Sequence, residues 1–110
     1  MSEALLQDQI RLALGSDPAI VLWRNNCGVA ELRTGGRIRF GVGNPGGADL
    51  IGIFRGRFIA AEIKTPDGRQ SPAQKTFQGC VDRHAGVYAI LRSVADALAW
   101  LADLHTRYPA

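Results

Sequence analysis

The chain of 110 residues is 46% hydrophobic and 21% charged, with a formal net charge of +3. This is the composition of an ordinary globular protein, and the length suits a single domain over residues 1–110 without room for a second. No apolar run approaches the length of a membrane span and the acidic, helical N-terminus is not a signal peptide, so we expect an intracellular, cytoplasmic protein with reduced Cys27 and Cys80.

The basic residues are concentrated in the middle of the chain. Residues 24–75 contain nine basic and four acidic side chains, whereas residues 1–23 have a net charge of −2 and residues 76–110 are neutral overall. A basic region of this kind suits a phosphate-rich partner. Mildly basic surfaces are also common on proteins that never bind nucleic acid, so the charge alone does not decide the function.

The first predicted element is a helix over residues 3–14. Its apolar residues recur at helical spacing, Ser2 can cap its start and Gly15 can end it. Glu3 would lie on the inward face of the first turn. It is either part of a site at that helix end or an acid favoured by the helix dipole. A short apolar strand over residues 19–23 follows.

A basic hairpin is predicted next. Residues 29–32 and 37–40 are typical of strands, and Gly35-Gly36 between them is a two-residue turn signature. The hairpin could contact the phosphodiester backbone of a nucleic acid, or it could be a solvated charged ribbon. Its basic side chains are Arg33, Arg37 and Arg39.

Residues 41–46 read GVGNPG and match the letters of the GxGxxG dinucleotide-binding motif. That motif requires a helix directly after its glycines, whereas here a strand follows and Pro45 interrupts. We therefore predict that no nucleotide cofactor binds here. The segment is better interpreted as a loop that delivers Asp49 to the edge of a sheet.

Residues 46–64 contain two apolar runs separated by a turn at Arg55-Gly56-Arg57, which predicts a second hairpin. Side chains alternate along a strand, so Glu62 and Lys64 point the same way. Asp49 lies at the same end of the hairpin, and the three groups can converge. Two carboxylates supply hard oxygen ligands for Mg²⁺ or Mn²⁺, and a lysine beside them can orient a water molecule or offset negative charge.

The C-terminal part has a clearly marked helix start at Ser71-Pro72-Ala73-Gln74. Ser71 is the expected N-cap, and Gln74 stands at the capping-box position. The helix is expected to run to about residue 84, followed by a buried strand over residues 87–91 and a last helix capped by Ser93. The inward side chains of the first of these helices would be Phe77, Cys80 and Val81.

The pattern of Asp49, twelve residues, and then Glu62-Ile63-Lys64 resembles the PD-(D/E)XK nuclease superfamily. Its surroundings resemble the VRR-NUC branch, including small stand-alone, virus-type members. They comprise GGADLIG at residues 46–52, the Gly56 turn, Gly68-Arg69 and Ser71-Pro72-Ala73-Gln74. Ala48 stands where many relatives have a proline before the aspartate, whereas the aspartate itself, Asp49, is kept.

This resemblance implies a restriction-endonuclease-like α/β core, with a mixed β-sheet flanked by helices in the order α-β-β-β-α-β plus a C-terminal helix. It also implies a catalytic site in which Lys64 positions a water molecule and Gln74 contacts the centre. That role for Gln74 competes with its capping role unless the helix start abuts the metal. The implied ligands of Mg²⁺ or Mn²⁺ are Asp49, Glu62, the carbonyl of Ile63 and, directly or through water, Glu3.

The resemblance further implies a homodimeric deoxyribonuclease that cuts branched DNA such as Holliday junctions during repair and recombination, in a bacterial or phage-infected cell. Two alternatives stay open. One is a catalytically inactive DNA-binding module with the same fold, and the other is a structural domain in which Glu62 and Lys64 form a surface ion pair. The candidate DNA contacts are Arg24, Asn26, Arg33, Arg37, Arg39, Arg69 and Lys75.

Overall fold

The computed structural model describes residues 2–110, which form three helices and six strands. The helices are α1 (Glu3–Gly15), α2 (Pro72–Arg83) and α3 (Val94–Arg107). The strands are β1 (Ile20–Arg24), β2 (Gly28–Glu31), β3 (Arg37–Phe40), β4 (Leu50–Phe54), β5 (Arg57–Ile63) and β6 (Val87–Leu91). Their ends lie close to those expected from the sequence.

Four strands form the main sheet in the order β1-β4-β5-β6. β4 is antiparallel to both β1 and β5, whereas β6 runs parallel to β5, so the sheet is mixed. Arg55 and Gly56 join β4 to β5 with φ angles of 47° and 83°. Positive φ at both central residues is the type I′ geometry, which fits the twist of a two-residue hairpin. The predicted second hairpin is therefore confirmed.

Helices cover both faces of this sheet. On one face, Ile59, Ala61 and Ile63 of β5 join buried residues of α1 and α3 in the larger core cluster. On the other face, Ala60 packs with Val81 of α2 in a smaller cluster. The C-terminal half of β5 is consequently buried on both sides. The fold class predicted from the sequence, α/β with a mixed sheet flanked by helices, is confirmed in this general form.

Each helix begins at a serine that caps it. The hydroxyl oxygens of Ser2, Ser71 and Ser93 each accept a hydrogen bond from the backbone N–H three residues later. These are the caps expected from the sequence, where a short polar side chain replaces the missing backbone acceptor of the first turn. None of the helices in residues 2–110 is long and apolar enough to cross a membrane.

One inward residue of α2 was predicted wrongly. Cys80 is exposed, whereas Phe77 and Val81 belong to the smaller core cluster. Phe77 and Val81 are four positions apart and set the face that meets the sheet, and Cys80 lies about 100° around the helix from Val81. Cys80 and Cys27 are both free thiols.

The first predicted hairpin forms a separate two-stranded sheet of β2 and β3. Its turn differs from the predicted Gly35-Gly36 pair, because the N–H of Gly35 donates to the carbonyl of Leu32 at 2.9 Å and the N–H of Leu32 donates to the carbonyl of Gly36 at 2.7 Å. Gly35 has φ of 92°. This is a three-residue loop that ends in a left-handed glycine, a common alternative to the two-residue turn.

Candidate active site

The structure brings Asp49, Glu62 and Lys64 together at the end of the main sheet that lies opposite the β4–β5 turn. Leu50 pairs with Ala61, so Asp49, directly before β4, is level with Glu62 in β5. The Oδ2 atom of Asp49 accepts a hydrogen bond from the backbone N–H of Ile63 at 2.8 Å. This bond holds the aspartate against the end of β5.

Glu62 is the most unusual side chain of the site, because a carboxylate is buried with only 3% of its surface exposed. Its Oε1 atom accepts a hydrogen bond from Nε2 of Gln74 at 3.0 Å and lies 4.0 Å from Nζ of Lys64. Its Oε2 atom is buried and has no hydrogen-bond partner among residues 2–110. Such an oxygen is costly unless a proton or a cation neutralises it.

The surroundings of Glu62 favour its protonated form. Burial, followed by the charge and hydrogen bonding of Asp49, raises the pKa of Glu62 to about 8, although the charge of Lys64 acts in the opposite direction. In the absence of a cation, the site therefore keeps a proton at neutral pH. A divalent cation between the two carboxylates would replace that proton.

Gln74 holds Glu62 and caps α2 at the same time. Its Oε1 atom accepts the backbone N–H of Ser71 at 2.8 Å, which completes the predicted capping box. Its Nε2 atom donates to Glu62. The two interpretations of Gln74 are thus compatible, because the start of α2 abuts the carboxylate cluster.

Glu3 faces the same region from the start of α1. It lines a cavity of about 180 Å³ with Ala4, Gln7, Asp49 and Ile63, and its negative charge adds to the rise in the pKa of Glu62. Glu3 is itself exposed. Within residues 2–110, no group of three or more His, Cys, Asp or Glu side chains is close enough together to hold one metal ion.

The donor set at this end of the sheet fits Mg²⁺ or Mn²⁺. Hard cations of this kind bind carboxylate and carbonyl oxygens and keep several water molecules. Asp49 and the unpartnered Oε2 of Glu62 supply the carboxylate oxygens, and Ile63 lines the adjacent cavity. The cavity beside Asp49 leaves space for water between that residue and Glu3.

The basic hairpin has two different faces. The β2–β3 register places Val29, Glu31, Arg37 and Arg39 on one face. The other face carries the cross-strand pairs Gly28–Phe40 and Ala30–Ile38. Arg37 lies 3.6 Å from Glu31, but both side chains are more than 70% exposed, so this ion pair contributes little to stability.

All the other candidate DNA contacts are exposed as well. Arg33 lies in the hairpin turn, and Arg24 ends β1 level with Leu50, next to the position of Asp49. Arg69 lies in the loop before α2, and Lys75 lies in the first turn of that helix. Asn26 follows β1. These side chains are accessible to a large, negatively charged ligand.

Two residues of the site were missed in the sequence. Gln7, with 9% of its surface exposed, lines the cavity beside Asp49 from the position four residues after Glu3. That spacing on one helix face was a signal that could have found it. Asn25 makes several hydrogen bonds to the segment before Asp49. No signal in the sequence distinguishes it from its neighbour Asn26.

Comparison of the sequence with models of known protein families gave no match, and comparison with curated proteins gave none either. Evidence for the function therefore comes from the arrangement of Asp49, Glu62 and Lys64 and from the sequence pattern around them.

Proposed function

We propose that this protein is a metal-dependent DNA endonuclease of the VRR-NUC branch of the PD-(D/E)XK superfamily. The observation that carries the proposal is the buried, unpartnered Oε2 atom of Glu62 beside Asp49, with Lys64 at 4.0 Å from the other oxygen. A surface ion pair between Glu62 and Lys64 would not require such burial. A buried carboxyl group that holds a proton in the free protein, as Glu62 does, is suited to exchange that proton for a divalent cation.

The fold supports the same assignment. When the β2–β3 hairpin is set aside, the elements follow the order α-β-β-β-α-β plus α3. This is the order expected for a restriction-endonuclease-like core. The carboxylates lie at the end of the central strands β4 and β5, between helices on both faces.

The residues of the site have distinct roles in this proposal. Asp49, Glu62 and the carbonyl of Ile63 would hold one or two Mg²⁺ or Mn²⁺ ions, and Glu3 would complete the shell through water in the adjacent cavity. The bound metal supplies the charge that polarises the scissile phosphate and lowers the pKa of the attacking water. Lys64 orients that water and offsets negative charge that develops during hydrolysis.

Gln74 restricts Glu62 to one orientation. Because its amide donates to Oε1 of Glu62, the Oε2 atom remains the oxygen without a partner. A ligand held in advance needs little reorganisation when the metal binds. The start of α2 therefore prepares the site for the metal.

The substrate we infer is branched DNA, such as a four-way (Holliday) junction. The exposed arginines of the hairpin can contact phosphates, and residues 2–110 contain no recognisable base-reading module, so shape rather than sequence is what the protein would read. Symmetric cleavage of a junction requires two active sites related by a two-fold axis, and we therefore propose a homodimer. The catalytically inactive DNA-binding module is the alternative.

The proposal is tested by cleavage of a labelled four-way junction beside a matched linear duplex, with Mg²⁺, Mn²⁺ or Ca²⁺. We expect paired symmetric nicks with Mg²⁺ or Mn²⁺, and a loss of about 10²- to 10³-fold in rate for Lys64→Ala because one source of transition-state charge is removed. The matched control is Lys75→Ala, at the other lysine of the chain. It should weaken DNA binding without stopping cleavage at saturating protein.

The other outcomes of this experiment lead to different conclusions. Cleavage without preference for the junction would retain the nuclease and remove the junction-resolving role. Binding of DNA without cleavage in any metal would favour the inactive module. Failure to bind or cleave DNA would leave the structural-domain interpretation.

A separate prediction concerns the hairpin. Replacing both Arg37 and Arg39 with alanine should weaken binding to all DNA sequences alike and reduce the slope of log K against log salt by about 2, since each phosphate contact contributes about 0.9. Fluorescence anisotropy over a salt series measures this slope. The control replaces two exposed arginines elsewhere, Arg11 and Arg83, with alanine and should leave this slope unchanged. An unchanged slope in the Arg37/Arg39 variant would identify the hairpin as a solvated ribbon.

A further inference from the structure

Asp49 is attached to a segment that has little regular structure of its own. Residues 41–49 connect β3 to β4, and Gly41, Gly43 and Gly46 have φ angles of 98°, 75° and 89°. These angles suit glycine, which gives the unfolded segment wide conformational freedom. The carboxylate nevertheless has to be placed accurately beside Glu62 to share a cation with it. Some other part of the protein must therefore fix this segment.

The side chain of Asn25 binds the backbone of this segment near both of its ends. Its Nδ2 atom donates to the carbonyl of Val42 at 2.8 Å and to the carbonyl of Ala48 at 2.9 Å. Its Oδ1 atom accepts the N–H of Val42 at 2.9 Å. The backbone N–H of Asn25 also donates to the carbonyl of Asp49 at 2.8 Å.

These bonds leave little freedom for the residue before the carboxylate. Ala48 is fully buried in the smaller core cluster. Gly47 passes so close to Val42 that an added Cβ atom would collide with the Val42 carbonyl. An asparagine amide offers two donors and one acceptor group, and all of them are directed at this segment. An aspartate or serine at position 25 could not reproduce the set.

We propose that Asn25 is a positioning residue for the metal site, which fixes the backbone of Asp49 so that its carboxylate faces Glu62. This inference rests on the proposed metal-binding function. Groups that hold a metal ligand in place typically change metal affinity 10- to 100-fold when they are removed. Asn25 does this from the position directly after β1, at the far side of β4 from Glu62.

The first test compares Mn²⁺ binding by calorimetry in the wild type, Asn25→Ala and Asn25→Asp. We expect about tenfold weaker binding in both variants, and cleavage that is restored in part by high Mn²⁺. Asn25→Asp is the more informative variant. Its added negative charge would tighten cation binding if electrostatics alone mattered, whereas loss of both donated hydrogen bonds should weaken it. The control is Thr106→Ala, at an exposed residue of α3 that has no role in the proposed site, and it should bind Mn²⁺ as the wild type does.

The second test needs no metal. Hydrogen exchange of the Ile63 amide reports directly on Asp49, because that N–H donates to Oδ2 of the aspartate. In both Asn25 variants we expect the Ile63 amide to exchange about tenfold faster or more, because local opening is easier, while amides in the middle of β5, such as that of Ile59, keep their wild-type rates. The Ile63 amide of the control Thr106→Ala should also keep its rate.

These tests separate the role of Asn25 from the function of the site. If the wild type neither binds Mn²⁺ nor cuts DNA, the nuclease proposal fails, and Ile63 exchange still tests the positioning role. Unchanged exchange and unchanged Mn²⁺ affinity in the Asn25 variants would overturn that role. Equal loosening of all β5 amides would overturn it too, because Asn25 would then contribute only to general stability.

Discussion

Replacing Asp49 with asparagine is expected to abolish cleavage and Mn²⁺ binding while leaving the fold intact. The side-chain carbonyl of asparagine can still accept the hydrogen bond from the Ile63 N–H, so the end of β5 keeps its partner. The negative charge that Asp49 contributes to binding of the cation is lost. We expect the rate of cleavage to fall at least about 10³-fold, because metal activation of water is lost. The stabilisation by Mn²⁺ seen as a rise in Tm should also disappear.

The control for Asp49→Asn is Asp67→Asn, which makes the same change of charge in the exposed turn before α2. The control variant should retain cleavage and the Mn²⁺-dependent rise in Tm. If Asp49→Asn instead changes only the stability of the protein, Asp49 is a structural residue and Glu62 and Lys64 form an ion pair without a catalytic role. Equal loss in both variants would point to a general effect of charge rather than to a metal site.

Much of the fold follows from signals that act over a few residues. Serines at positions 2, 71 and 93 mark helix starts, because a short hydroxyl side chain can replace the missing acceptor of the first turn. Arg55-Gly56 marks the β4–β5 turn, since glycine adopts positive φ readily. Once that turn is fixed, the register of the hairpin follows, and it brings Asp49 level with Glu62. The convergence of the acidic residues was therefore predictable from local chemistry.

Other features depend on contacts that the sequence does not encode locally. Asn25 binds carbonyl groups 17 and 23 residues further along the chain, and nothing in its neighbourhood distinguishes it from Asn26. Cys80 has the apolar character of an inward residue, but the face of α2 is set by how Phe77 and Val81 meet the sheet. Gln74 combines a feature that is encoded locally with one that is not. Its capping role is local and was clear, whereas its bond to Glu62 required the docking of α2 on β5.

The buried carboxyl of Glu62 opposes the stability of the free protein. The protein would be more stable if the side chain at this position had no titratable oxygen without a partner. Residues that are costly to bury are common at functional sites. Its raised pKa gives the cost a defined pH dependence. In the unfolded chain Glu62 loses its proton near its usual pKa of 4.5, whereas in the folded protein it keeps the proton until about pH 8.

Glu62→Gln is therefore expected to stabilise the metal-free protein above pH 7 and to abolish Mn²⁺ binding. Between pH 4.5 and about 8 the folded wild type binds a proton that the unfolded chain has released. The free energy of unfolding of the wild type consequently falls as the pH rises through this window, and the contribution is fully present only below pH 4.5. Glutamine mimics the protonated acid at every pH and keeps the acceptor for Gln74.

The measurement is Tm of the wild type and Glu62→Gln without metal at pH 5 and pH 8, and again at pH 8 with Mn²⁺. The two proteins should unfold at similar temperatures at pH 5, and the variant should be more stable by at least about 5 °C at pH 8. Mn²⁺ should then raise Tm only in the wild type, because the cation replaces the proton on Glu62. A difference in Tm that is the same at both pH values would mean that Glu62 titrates as an ordinary surface acid. The interpretation of Glu62 as a buried carboxyl group that holds a proton would then be wrong.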